Sequence, residues 1–310
     1  MAKIITLTFN PVIDKTSTVE RIAPEKKLRC GQPHFGPGGG GINVSRALKN
    51  LGHSAPALYP AGGHSGRFLK DLMDIEGLES MIIETEKPTR ENFIVLDTSC
   101  NQQYRFGFPG EEMTSEEQQA LLQKIEMMEY DFLVASGSLM PGMSPDFVGA
   151  VARIARRKNA KLILDTSGKT LKKSLEAGVY LLKPNLGELS SLVGKEEVGI
   201  DEVDEISKDI INKGQCAIIV VSMGAQGARL ISAHEVFHAR APIVKKVSTL
   251  GAGDSMVAGM VLMLSEQRPL REVIKYGVAC GTAATLTHGS ELCRKEDVER
   301  LLNRIVVTED

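Results

Sequence analysis

Short apolar runs and longer amphipathic stretches take turns along this chain. The runs Ile4–Phe9, Ala57–Pro60, Phe132–Ser136, Lys161–Asp165, Tyr180–Lys183 and Ala217–Ser222 read as strands. Apolar residues at helical spacing mark Ile42–Leu51, Phe68–Met73, Glu116–Met127, Phe147–Arg157 and Asp204–Lys213. Buried parallel strands read as continuous apolar runs, and the stretch from Cys216 to Val221 does so. Strand–helix alternation of this kind predicts an α/β fold, a mostly parallel sheet covered on both faces.

Two regions depart from the alternation. Segments of about 15–35 and 89–106 carry period-two patterns without long helices. Arg90–Asp97 and Gln102–Phe106, with a short polar turn between them, read as a hairpin. Together they predict a small antiparallel sheet standing off the main one. So small a sheet needs cover for its apolar face, from a second subunit or from a substrate cleft. Strand signal returns at Ala228–Ile231 and Val236–Ala239, and the pattern is helical from Asp254 to the end.

Composition narrows the function. A formal net charge of -2 argues against a dedicated nucleic-acid binder, because phosphate-backbone affinity needs a basic excess. No run approaches the roughly 18 apolar residues of a membrane span. The segment Met1–Thr8 is too short an apolar run for a signal peptide. Cys30, Cys100, Cys216, Cys280 and Cys293 are odd in number and scattered, without a Cys-x-x-Cys pair. That speaks against a disulfide framework or a zinc site and for a cytoplasmic protein. His234 and His238 stand four apart, but on a strand after a turn, and read as an exposed pair rather than metal ligands.

Three glycine-rich stretches invite functional readings. Gly36–Gly41 formally contains G-x-G-x-x-G, but no acidic residue follows at about 20 positions, as a dinucleotide site requires. Its glycines instead let backbone approach a ligand closely. Ser167–Thr170 ends like a phosphate-binding loop, yet the position of the loop's first glycine is Ile163, so it reads as a turn into a helix. Gly251, Ala252 and Gly253 open the long apolar helix Met256–Leu264. Their free amides, at the positive end of a helix dipole, make an anion site. Asp254 sits within it. A helix cap and a base that takes a proton from an attacking hydroxyl explain that aspartate equally well on local chemistry.

Gly251–Asp254 before a helix, with Gly38–Val44 far upstream, resembles the ribokinase-like (PfkB) carbohydrate kinases. Thr8–Pro11 with Asp14, Gly137–Gly142, Lys183–Glu188 and Ser222–Gly227 extend the likeness over essentially the whole chain, in the family's order. Met140 departs from it, standing where the family usually has a second proline. Within the family the likeness is strongest to phosphosugar kinases, carried by Lys27–Cys30, Pro60–Gly63 and Gln103–Phe106. The resemblance implies a three-layer α/β/α sandwich, one unit of residues 1–310, with segments 15–35 and 89–106 as a β-sheet lid. It implies ATP-dependent phosphorylation of a sugar phosphate, fructose 6-phosphate to fructose 1,6-bisphosphate. Tagatose 6-phosphate and fructose 1-phosphate are the rival acceptors, and a non-catalytic sugar- or nucleotide-binding protein is the rival outside the class.

The residue roles follow from the same resemblance. Asp254 would be the base, and the amides of Gly251, Ala252 and Gly253 the hole for the transferred phosphoryl group. Asp14, Gly39, Gly40 and Asn43 would hold the sugar. Lys27, Arg29 and Arg90, all placed on the small sheet, would bind its phosphate, with Ser138 nearby. Asn185 and Glu188 would organise water around Mg2+, and Lys183 would face the ATP phosphates. An Asn185–Glu188 capping box is the plain alternative, compatible with that role. Ser222, Gly224 and Gly227 would shape the nucleotide pocket. Val244, Ser248, Leu250, Ala284, Thr287 and Gly289 would supply oxygens to a monovalent cation, K+. A homodimer through the lid sheet would cover its apolar face.

Overall fold

The computed structural model describes residues 2–287 and 291–309. Its strands are β1 (Ile4–Thr8), β2 (Val12–Val19), β3 (His34–Gly38), β4 (Ala57–Gly62), β5 (Ser80–Thr85), β6 (Arg90–Asp97), β7 (Gln102–Phe106), β8 (Phe132–Ser136), β9 (Lys161–Asp165), β10 (Val179–Leu182), β11 (Cys216–Ser222), β12 (Ala228–Ser232), β13 (Val236–Arg240) and β14 (Val306–Glu309). A large sheet runs β14-β13-β12-β11-β10-β9-β8-β1-β4-β5. From β5 to β11 every neighbouring pair is parallel; β12, β13 and β14 attach antiparallel.

Alternation within the strands builds two cores. Ile4, Val134, Ile163, Leu181 and Val220 point to one face, against the helices Gly40–Asn50, Ala252–Ser265 and Leu270–Ala284. Ile5, Leu133, Leu162, Leu182 and Ile219 point to the other, against Ser115–Met127, Asp146–Arg157 and Val203–Asn212. Both faces are dry, so β1 and β8 are buried at every position. This is the expected three-layer α/β/α sandwich.

A second sheet, β3-β2-β6-β7, stands apart. The sequence pattern predicts it as antiparallel, but its central pair, β2 and β6, is parallel. The cause is upstream. The chain enters β2 from β1 and β6 from β5, which point the same way in the large sheet. Hydrophobic alternation is the same for either pairing and could not reveal this. Residues 20–33 form no strand beyond a single bridge from Val19 to Cys30. The C-terminus also departs from the helical expectation. Val306–Glu309 is a strand, paired to β13.

The helix Gly40–Asn50 is seated so tightly on β1 that a Cβ on Gly41 would stand 2.4 Å from the Leu7 carbonyl oxygen. Gly41→Ala should therefore lower the unfolding free energy by about 1–3 kcal/mol. A urea titration reads this directly, and an unchanged midpoint would mean the helix is free to shift.

Candidate active site

In open parallel sheets, ligands collect outside the carboxyl ends of the strands. Here those ends deliver Ser136 from β8, Asp165 from β9, Lys183 just past β10 and Ser222 from β11. The small sheet brings Asp14 and Arg90 over the same edge, and two helices start there.

The helix Ala252–Ser265 has Gly251 as its N-cap, at φ 71°, with no capping side chain. A side chain on Gly251 would also strike Leu292, 2.3 Å from its Cβ. Asp254 is thus the third helical residue, and its carboxylate leaves its own helix. Oδ2 accepts a hydrogen bond from Asn43 Nδ2 at 2.9 Å, and Oδ1 one from Ser136 Oγ at 3.4 Å. The capping alternative for Asp254 falls away. Burial, with the Asp165 charge adding to it, pushes the Asp254 carboxyl up to about 6; Asn43, Lys183 and Ser136 pull the other way. The residue still keeps partial contact with solvent. It can exchange a proton near neutral pH.

The amides of Gly251 and Gly253 have no partner among the described residues. That of Ala252 makes a long, 3.4 Å contact to the Thr249 carbonyl. Gly253 is exposed. Just behind it lies an ion pair, Lys183 Nζ to Asp165 Oδ1 at 3.2 Å, with the lysine side chain only 6% exposed. Burial opposes the Lys183 charge, but Asp165, Glu188 and Asp254 outweigh it and hold the ammonium pKa above its ordinary value. An anion placed before Gly253 would meet two free amides and a buried cation.

Asp14 is buried, which raises its pKa, while Asn92 donates to it at 3.2 Å and Arg90, Arg46 and Arg105 lower it by charge. Of the three cations expected, only Arg90 is among those around it. Lys27 and Arg29 lie on the irregular stretch, exposed, and not on a strand of the small sheet. Their neighbours Leu28 and Cys30 line a hollow on the opposite, apolar side. Arg90 is in place but committed: its Nη1 and Nη2 donate to the Phe108 and Asn10 carbonyls, and its Nε is buried without a partner among the described residues. Gly39, Gly40 and Asn43 are part-exposed around the same cleft, and Ser138 is exposed on the loop after β8. A Cβ on Gly40 would stand 2.1 Å from Ser136 Oγ, so no side chain fits there beside the serine.

Asn185 and Glu188 form a complete capping box on the helix Leu186–Val193. Glu188 spends only Oε2 on it, at 2.9 Å, and its pKa is raised by burial and by Asp165. Ser222 sits beside this element, donating its amide to the Pro184 carbonyl. Gly224 opens a short turn at φ 59°, whereas Gly227 is packed on β13, where a Cβ would meet the Ala239 carbonyl at 2.0 Å. Segment 244–250 is held to the end of the helix Leu270–Ala284 by amides of Val247 and Ser248 donating to the Thr285 carbonyl. That brings Ser248 to the end of this helix, while the Thr287 hydroxyl is engaged with the Ala284 and Glu291 carbonyls. Gly289 lies outside the described residues.

Asp165, Ser136, Arg46 and Arg105 were missed from sequence. Asp165 had a usable signal: an acid ending a strand read as parallel.

If Asp254 must be ionised to act, turnover should fall about tenfold per pH unit below roughly 6, the value its surroundings set. Asp165→Asn removes the neighbouring negative charge and releases Lys183 from its partner. Both changes favour the carboxylate, so the acid limb of the rate profile should move to lower pH. A limb that stays put, or rises, would separate Asp165 from the base.

Known families and structures share this fold. The model of the pfkB family of carbohydrate kinases matches residues 7–297. The chain is 40% identical over 303 residues to ATP-dependent 6-phosphofructokinase isozyme 2 of Escherichia coli, covering 97% of this chain and 98% of that one. It is 33% identical to 1-phosphofructokinase of Bacillus subtilis, covering 98% and 99%. The crystal structure of phosphofructokinase-2 from E. coli in complex with potassium matches with a TM-score of 0.95 at 40% identity, over 98% and 99% of the two chains. This protein belongs to the pfkB family of carbohydrate kinases.

Proposed function

We propose that the protein transfers the terminal phosphoryl group of ATP to the free primary hydroxyl of fructose 6-phosphate, giving fructose 1,6-bisphosphate and ADP. The sugar oxygen forms a bond to the terminal phosphorus, the bond to ADP breaks, and the hydroxyl proton passes to Asp254. The observation that carries this reading is the Asp254 carboxylate, held by Asn43 and Ser136 beside the free amides of Gly251 and Gly253. Preorganised donors of that kind contribute roughly 3–4 kcal/mol each to transition-state stabilisation.

Asp14 holds the sugar hydroxyls, since a carboxylate accepts more than one hydrogen bond. The positive field of Arg90 and Arg105 around it supports an acceptor that already carries a phosphate. Fructose 1-phosphate and tagatose 6-phosphate remain the rivals. Against the first stands position 40, which the family's 1-phosphofructokinases usually fill with lysine. Here there is no room for a Cβ beside Ser136.

Lys183 faces the ATP phosphates, with Ser222 and Gly224 along the nucleotide. Among the described residues no cluster of three or more acidic, histidine or cysteine side chains could cage a metal. Asn185 and Glu188 would hold, through water, a hydrated Mg2+ that arrives with ATP, with the Asp165 charge nearby. Bound Mg2+ neutralises charge on the ATP phosphates. Convergence of segment 244–250 on residues 284–287 supports a K+ subsite behind the anion hole.

The small sheet acts as a lid within one catalytic unit. Its outer face supports a homodimer. A hollow of about 390 Å³ there is lined by Val19, Ile22, Leu28, Cys30, Phe93, Val95, Phe106 and Phe108. Phe106 and Phe108 are 49% and 58% exposed. Apolar surface of that kind marks an association site. Among the described residues no helix is long and apolar enough to cross a membrane. All five cysteines are free, which supports a cytoplasmic setting.

Coupled ADP release with a panel of phosphosugars tests the substrate; fructose 6-phosphate ranking well below another sugar would defeat the choice. Asp254→Asn should reduce turnover by about 100- to 10,000-fold while nucleotide binding persists. Phe106→Glu should convert a dimer to monomer in sizing experiments at micromolar concentration. A wild-type monomer under those conditions would remove the dimer.

A further inference from the structure

Arg46 belongs to none of the motifs that identify the family. It lies on the helix Gly40–Asn50, three positions after Asn43 and therefore on the same face. Its side chain is 12% exposed. Nε donates to Glu76 Oε2 at 2.7 Å and Nη2 to Glu76 Oε1 at 2.7 Å, a two-pronged contact that fixes the plane of the guanidinium. Glu76 is the residue just past the helix Gly63–Ile75. The remaining nitrogen, Nη1, faces Asn43 Oδ1 at 3.5 Å. Asn43 in turn donates from Nδ2 to Asp254 at 2.9 Å.

The two ends of an asparagine amide have nearly the same shape and opposite polarity. Rotated by half a turn, Asn43 would set its oxygen against the carboxylate of Asp254 and lose the donor. A fixed cation on the oxygen side decides between the two poses. At 3.5 Å the contact is a weak hydrogen bond, but the guanidinium N–H, its direction fixed by Glu76, still attracts the carbonyl end and repels the amide N–H end.

Taking Asp254 as the base, we propose that Arg46, itself fixed by Glu76, is a positioning residue that orients the Asn43 amide toward the Asp254 carboxylate. Arg46 touches no reacting atom. It acts through Asn43, and removing it leaves the base without a directed donor. The pair also ties two helices together, so the test must separate orientation from scaffolding.

A double-mutant cycle does so. Arg46→Ala and Asn43→Ala should each lower kcat with fructose 6-phosphate by roughly 10- to 100-fold, the range for a hydrogen bond to a charged group. KM for ATP should stay near the wild-type value. The double variant should lose no more than the worse single one, because both act through one contact. Glu76→Gln keeps the shape of the pin and should show a smaller loss in the same direction; paired with Asn43→Ala, it carries the cycle if Arg46→Ala does not fold. Losses that multiply in the double variant would overturn the proposal, as would wild-type kcat in Arg46→Ala. A wild type with no turnover would instead count against the kinase reading. In that event a crystal structure of Arg46→Ala decides the matter: the wild-type Asn43–Asp254 distance retained there sinks the inference, and a lengthened one upholds it.

Discussion

One carboxylate held by donors from two other elements sets the demands on everything around it. Asp254 rides on the helix Ala252–Ser265, Asn43 on the helix Gly40–Asn50, and Ser136 ends β8. These three segments meet only because β1 and β8 are parallel neighbours whose carboxyl ends open on the same edge. Glycine at 40 and 41 follows from that meeting, since any side chain there would drive the helix off the strand ends. Burial disfavours the charge on Asp254, and the two donors compensate only in part, which leaves the group basic enough to accept a proton.

A second buried charge balances the first. Lys183 and Asp165 come from the ends of adjacent strands, β10 and β9, and the lysine, only 6% exposed, keeps its charge beside that carboxylate. Such a pair adds little to stability compared with an apolar replacement. Its use is electrical. Lys183 supplies positive potential beneath Gly253, and Asp165 prevents that potential from stripping the basicity of Asp254.

Much of this could be read from sequence. The central strands were visible because both their faces are dry, so that β8 and β11 are apolar without interruption. The glycine turn before Asp254 was visible because a helix start needs free amides. Whether Asp254 caps its helix was not, since an aspartate near a helix start is also a good cap; Gly251 occupying the N-cap itself removes that alternative. Lys27 and Arg29 were expected on strands of the small sheet but lie on an irregular segment, because a loose period-two pattern does not guarantee pairing. Arg46 looked like an ordinary surface residue of an amphipathic helix, and its fork to Glu76 spans thirty positions. The final strand β14 is four residues at the sheet edge, too short for alternation to stand out.

Only three residues separate β1 from β2, and Asn10 among them is tethered by its side-chain amide to the Pro109 and Leu139 carbonyls. The small sheet therefore has little slack where it leaves the body. Asp14 is carried on that stiff flap, four residues beyond the tether. Any tilt of the flap shifts the carboxylate proposed to grip the sugar, so that, on this proposal, covering the cleft and aligning its occupant become a single mechanical event.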